Sequence, residues 1–205
     1  MTKVKICGLK EIEHVEAAVK AGADFIGFMF APSKRRITVE EAAELAKVIP
    51  STVKKVGVFV NEQNDVIRQI ADQVGLDYIQ YHGDETQEQI QEIGLPAIKA
   101  FSIRGEEDVK RAAEYHVDYY LFDAPGTDFR GGSGESFDWM LLDKVNIPMN
   151  KVILAGGLNE ENVGLAIMLV EPFAVDVSSG VEVDGRKSSA AITNFIETAK
   201  GELIL

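Results

Sequence analysis

The chain is short of several things at once. It has one cysteine in 205 residues, so no intrachain disulfide can form and a disulfide-built secreted fold is excluded. A reducing, cytoplasmic setting fits that usage. Positive charge is scarce: 21 Lys and Arg stand against 33 Asp and Glu, a net charge of −12. Nucleic acid and anionic membrane each need a basic footprint, so neither is expected as a partner. A small anionic ligand, which needs only a local positive site, stays open. Long apolar runs are missing. Phe25–Pro32 is among the longest, and it is far too short to cross a bilayer. The opening residues carry no apolar h-region, so no signal peptide is expected. No low-complexity linker interrupts the chain, and residues 1–205 read as a single domain. The G-x-G-x-x-G and P-loop fingerprints are absent, as is a nucleophile elbow. No His, Cys, Asp or Glu spacing resembles a metal site, so no metal and no cofactor is expected.

What is present is a recurring unit. A short apolar run is followed by a polar amphipathic stretch, eight times. The strand-like runs are Val4–Cys7, Phe25–Phe30, Lys55–Val60, Tyr78–Tyr81, Ala97–Phe101, Tyr119–Asp123, Val152–Ala155 and Ala174–Val177. The helix-like stretches are Glu11–Ala21, Val39–Val48, Asn64–Val74, Thr86–Ile93, Glu106–Glu114, Asp138–Asp143, Glu160–Val170 and Ser189–Lys200. Apolar positions in the latter recur with a period near 3.6, as at Ile67, Ile70, Ala71 and Val74. Asn64 and Thr86 read as helix starts, and Gly22, Gly75 and Gly94 stand just past helix ends. Eight strand–helix units predict an α/β fold, either an open doubly wound sheet or a closed (β/α)8 TIM barrel. The unit count at this length, and the missing dinucleotide fingerprint, favour the barrel.

A barrel makes its own demand: functional residues belong at the carboxyl ends of strands and in the loops that follow. Those positions hold Cys7, the Pro32–Thr38 loop, His82, Asp123, Gly131–Gly134, Gly156-Gly157 and Asp176 through Gly180. The opposite turns read as plain connectors. Cys7 is either a small buried hydrophobe or a base. Strand alternation puts Lys3, Lys5 and Cys7 on one face, where a lysine two residues below the thiol favours the thiolate or is simply salt-bridged. Asp123 either starts a loop or serves as an acid. The Ala124–Ser136 loop is long for this fold and suits a cap. Gly156 and Gly157 after the seventh strand pair with Ser178, Ser179 and Gly180 after the eighth. Barrels often grip phosphate there with backbone amides, which need no net positive charge. Arg35 and Arg36 belong to the densest basic cluster, either a solvated turn or a bidentate carboxylate grip. His82 reads as a positioning or wall residue, and His14 and His116 read as surface. A monomer is expected, since no long exposed apolar helix face is obvious.

Taken together, Val4-Lys5-Ile6-Cys7-Gly8, Ser33-Lys34-Arg35, Gly57-Val58-Phe59-Val60-Asn61, Gln80-Tyr81-His82-Gly83, Phe122-Asp123, Ala155-Gly156-Gly157-Leu158 and Asp176-Val177-Ser178-Ser179-Gly180-Val181-Glu182 resemble the phosphoribosylanthranilate isomerase family of tryptophan biosynthesis over nearly the whole chain. The resemblance implies a cofactor-free Amadori rearrangement of N-(5-phosphoribosyl)anthranilate, a phosphorylated small-molecule substrate. It implies Cys7 as general base and Asp123 as general acid. Arg35 then holds the anthranilate carboxylate, Asp176 lies near the anthranilate amine, and the glycine and serine loops grip phosphate. Two departures stand out. Arg36 replaces a frequent aromatic residue, so the two arginines can share or exchange a role. Asp184-Gly185-Arg186-Lys187-Ser188 replaces the family's Pro-Gly-x-Lys-Asp. Another phosphosugar barrel isomerase, or a non-catalytic phosphometabolite-binding barrel, is the competing expectation.

Overall fold

The computed structural model describes residues 1–125, 137–144 and 146–201. Eight parallel strands pair in chain order and close into a barrel. They are β1 (Lys3–Cys7), β2 (Phe25–Met29), β3 (Lys54–Phe59), β4 (Tyr78–Tyr81), β5 (Ala97–Ser102), β6 (Tyr119–Asp123), β7 (Val152–Leu154) and β8 (Ala174–Val177). The helices α1 (Ile12–Ala21), α2 (Val39–Ala46), α3 (Asn64–Val74), α4 (Gln87–Ile93), α5 (Glu106–Ala112), α6 (Val163–Val170) and α7 (Ser189–Lys200) are interleaved with the strands. The expected (β/α)8 barrel is therefore the observed architecture. After β8 a short antiparallel hairpin, β9 (Glu182–Val183) and β10 (Arg186–Lys187), precedes α7.

Alternation along each strand sorts the side chains into two cores. Val4, Ile6, Val175 and Val177 point outward into the large cluster between barrel and helices. Phe25, Val56, Ile98, Leu121, Ile153 and Ala174 point inward and fill the barrel. Tyr78, Tyr119 and Phe173 close its amino end, with Tyr119 and Phe173 stacked at 4.4 Å. Fully burying one such side chain contributes about 1.5–3 kcal/mol.

Several local expectations change. The Asp138–Asp143 stretch is a 3-10 helix, Trp139–Lys144, opened by the tight bond from Leu141 N–H to the Asp138 carbonyl. Thr86 does cap α4, with a full capping box. With Gln63 in the cap position, Asn64 does start α3 as expected. It is the first helical residue, and its amide donates to the Gln89 carbonyl and to Glu92. Helix α6 starts at Val163 rather than Glu160, because Asn159 and Asn162 exchange side-chain to backbone bonds in the approach. His14 is buried, not superficial, because it shares the inner face of α1 with Val15 and Ala18. Helix α6 also presents Leu165, Met168 and Leu169 to solvent, so the reason given for a monomer does not hold. Among the described residues no helix is long and apolar enough to cross a membrane.

Candidate active site

The carboxyl end of the barrel is where the inward positions stop being apolar. The β1–β8 register sets Lys5 beside Asp176, and the Lys5 ammonium lies 2.8 Å from the Asp176 carboxylate. Burial alone would lower Lys5, but Asp176 and Cys7 more than offset it and hold the ammonium above its usual pKa. One turn of the alternation further, Cys7 is buried at the end of β1. Burial pushes its thiol up. Lys5 and Lys187 oppose that shift, while Asp176 adds to it. The expectation that Lys5 would favour the thiolate is thus half met: the direction is right, but desolvation is larger.

Asp123 ends β6 across the mouth and is buried. Burial, reinforced by the nearby Asp176 charge, raises its carboxyl to about 7, against the Ala124 N–H and Lys5, which lower it. Such a carboxyl keeps a substantial protonated fraction at neutral pH, which an acid needs. His82 stands beside it, with Nε2 3.6 Å from Asp123 Oδ2 and Nδ1 3.3 Å from the Gln80 amide nitrogen. The loop carrying His82 is braced by buried Glu85, which accepts from Asn61 N–H, Gly83 N–H and Lys99.

A cleft open to solvent is lined by Asp123, Asp176, the Ala155–Leu158 turn and Val177–Ser179. It therefore joins Asp123, Asp176, Gly156, Gly157, Ser178 and Ser179, all anticipated. Gly156 has φ +85, and a β-carbon there would lie 2.3 Å from the Ala124 nitrogen. Only glycine lets the turn pass so close to the end of β6. Gly180 makes a second close approach of this kind. A β-carbon there would lie 1.9 Å from the Leu158 carbonyl oxygen, so the missing side chain seats one loop against the other. Asn162 ties the same turn down by donating to the Gly157 carbonyl.

The basic loop also divides. Arg36 is exposed. Arg35 lies across Gly8, the residue after Cys7, where a β-carbon would meet Arg35 Cδ at 2.8 Å. Its Nε donates to Glu182 at 2.5 Å, while its buried Nη2 has no hydrogen-bond partner among the described residues. Glu182 also pairs with Lys34 at 3.1 Å and Lys187 at 3.4 Å. Burial would raise the Glu182 carboxyl, but these three cations hold it below its usual range. Burial brings Lys187 down to about 8, and its ammonium donates to the Ser178 carbonyl at 2.7 Å. Glu182, Lys187, Asn162 and Glu85 were not singled out from the sequence as site residues. Only the position of Glu182 and Lys187 soon after a strand end pointed toward them. Gly131–Gly134 and most of the 124–136 loop lie outside the described residues.

The family model for N-(5'-phosphoribosyl)anthranilate (PRA) isomerase matches residues 4–198. The chain belongs to that family. The isomerase of Bacillus cereus strain G9842 is 48% identical over 199 residues, covering 97% of this chain and 98% of its own. That of Streptococcus pneumoniae is 51% identical over 200 residues, 98% of this chain and 96% of its own. A solved phosphoribosylanthranilate isomerase in complex with reduced 1-(o-carboxyphenylamino)-1-deoxyribulose 5-phosphate superposes with a TM-score of 0.84 at 40% identity, over 98% of this chain and 100% of the other. The protein is an isomerase of tryptophan biosynthesis.

Proposed function

We propose that Cys7 and Asp123 carry the Amadori rearrangement of N-(5'-phosphoribosyl)anthranilate to 1-(2-carboxyphenylamino)-1-deoxyribulose 5-phosphate, with no cofactor. The observation that carries the reading is the buried Asp123 carboxyl, raised to about 7 and facing the cleft. Protonated Asp123 gives its proton to the ribose ring oxygen as the C1–O bond breaks. The anthranilate nitrogen lone pair closes a C1=N iminium. The Cys7 thiolate then takes the C2 proton, and the C–H electrons form the enolamine double bond as the iminium is neutralised. Tautomerisation of the enolamine gives the ketone at C2. The two groups act on different atoms, which suits their placement on β1 and β6.

Arg35 holds the anthranilate carboxylate. The support is its donor in reserve at the buried Nη2, on a side chain that lies across Gly8, with Arg36 turned to solvent. Asp176 accepts from the anthranilate amine, and His82 positions Asp123 or forms the wall beside it. Backbone amides of Gly156, Gly157, Ser178, Ser179 and Gly180 take the phosphate, an arrangement that reconciles an anionic ligand with a net charge of −12. All these residues come from one chain, so a single (β/α)8 domain acting as a monomer in the cytoplasm suffices.

Turnover of freshly generated phosphoribosylanthranilate, followed by loss of its fluorescence, tests the reading. Cys7→Ala and Asp123→Asn should each lower kcat by at least ~10²-fold while product-analogue affinity persists. Full activity in either folded variant removes that residue from the reaction. Binding of the ligand without turnover by the wild type would instead favour a non-catalytic phosphometabolite-binding barrel.

A further inference from the structure

Lys5 has no step in the scheme above, yet it is fully buried at the centre of the mouth. Its Nζ is 2.8 Å from Asp176 Oδ1. It also flanks Cys7. A β-carbon built on Gly27 would lie 2.8 Å from Cys7 Sγ and 3.1 Å from Lys5 Nζ, so thiol and ammonium converge on the space that the glycine leaves open. The β1–β2 register, Cys7 opposite Gly27, puts that space there. The other charged groups around Cys7 are Asp176 on β8 and Lys187 on β10, both of which act on its thiol. Arg35 lies over the adjoining Gly8, and Asp123 stands on β6 across the mouth.

We propose that Lys5 is a positioning residue whose single ammonium serves two anions, holding Asp176 as a carboxylate and making the Cys7 thiolate accessible. The proposal rests on the reading of Cys7 as the base. A thiol buried this deeply is a poor base without a neighbouring cation, because the thiolate loses its hydration. Asp176 alone would make matters worse, as a second negative charge at close range. Lys5 answers both, and the missing Cβ of Gly27 lets it reach both. Cys7 and Lys5 are thus coupled through Asp176 to Asp123, whose proton the same carboxylate helps to retain.

The only thiol in the chain is Cys7, so the pH dependence of iodoacetamide alkylation reports its ionisation without ambiguity. Lys5→Met should move the alkylation midpoint up by at least about one pH unit, a tenfold loss of thiolate at a given pH. It should lower kcat by about tenfold or more while KM stays within about threefold, a split that a merely structural lysine would not produce. Lys5→Met leaves Asp176 without its partner and can fail to fold. Lys5→Met/Asp176→Asn leaves neither charge unpaired, and in Asp176→Asn the Lys5 ammonium loses one partner but keeps the other, Cys7. The double variant should alkylate with a midpoint at least about one unit above that of Asp176→Asn. Coincident midpoints in the two would overturn the role of Lys5. Wild-type enzyme that still turns over when Cys7 is fully alkylated would overturn the reading of Cys7 instead, whatever the midpoints show.

Discussion

The two ends of the barrel interior are built on the same alternating strands and come out as opposites. At the amino end Phe25, Tyr78, Tyr119 and Phe173 pack edge-on and stacked, with Phe25 5.8 Å from Tyr78 and 6.2 Å from Phe173. At the carboxyl end the inward positions carry Lys5, Cys7, Gln80, Asp123 and Asp176. The first end removes apolar area from water and gains stability. The second buries charge and loses some, since a carboxyl raised to about 7 is one that folding prefers neutral. One sheet thus supplies stability at one end and strained protonation states at the other. This division follows the barrel rule that chemistry gathers where the strands end.

That contrast breaks if the ends prove inseparable. Phe25→Ala, at the apolar floor, should lower the unfolding free energy by about 3–5 kcal/mol in urea melts, the usual range for a buried phenylalanine. The remaining folded enzyme should keep its KM and pH profile, and a shifted profile would show that the floor reaches the chemistry. Asp123→Asn at the mouth should do the reverse. Below about pH 4 the carboxyl is protonated in both folded and unfolded chains, so the variant gains little. As pH rises from about 4 to about 7 the unfolded wild-type chain ionises while the folded one keeps its proton, and wild-type stability falls. Above about pH 7 the variant should therefore be the more stable, by up to about 4 kcal/mol for a rise from 3.8 to about 7. Equal urea midpoints at pH 4 and pH 8 would show that Asp123 is not raised.

Smaller effects sharpen the picture of the rim. Arg35→Ala should weaken substrate and product binding by roughly 1.5–3 kcal/mol, the scale of a charge-assisted pair. Arg36→Ala, at an exposed position, should change KM by less than about threefold. The opposite ranking would mean that Arg36 turns inward when ligand binds. The smallest expected effect is none: activity should survive exhaustive chelation and dialysis, and restoration by an added metal or nucleotide would refute the cofactor-free scheme.

Much of the fold was legible because its signals are local. Thr86 announces α4 through a capping box closed within three residues, and Gly22, Gly75 and Gly94 take the left-handed caps expected of them. Of the site, Cys7, Asp123, Asp176 and the Gly156-Gly157 and Ser178-Ser179 turns were legible as strand-end residues. Others were not. Glu182 matters because it meets Arg35, 147 residues away in sequence, and nothing near either residue encodes the meeting. Gly180 packs without a side chain against the Leu158 carbonyl, a loop-to-loop contact that nothing in its own turn encodes. His14 reads as surface from its helix context, yet its place on the inner face of α1 decides its burial.

By itself the sequence determined the eight strand–helix units, the shared face of Lys3, Lys5 and Cys7 on the first strand, and the end of the barrel that carries the polar residues. Periods of 2 and 3.6 are properties of the backbone and need no knowledge of the partner. Only the tertiary structure decided that Lys5 meets Asp176 across 171 residues, that Arg35 lies across Gly8 while Arg36 is exposed, and that burial outweighs Lys5 at the thiol. Those outcomes depend on distance and desolvation, which acquire values only when β8 pairs with β1 and the barrel closes.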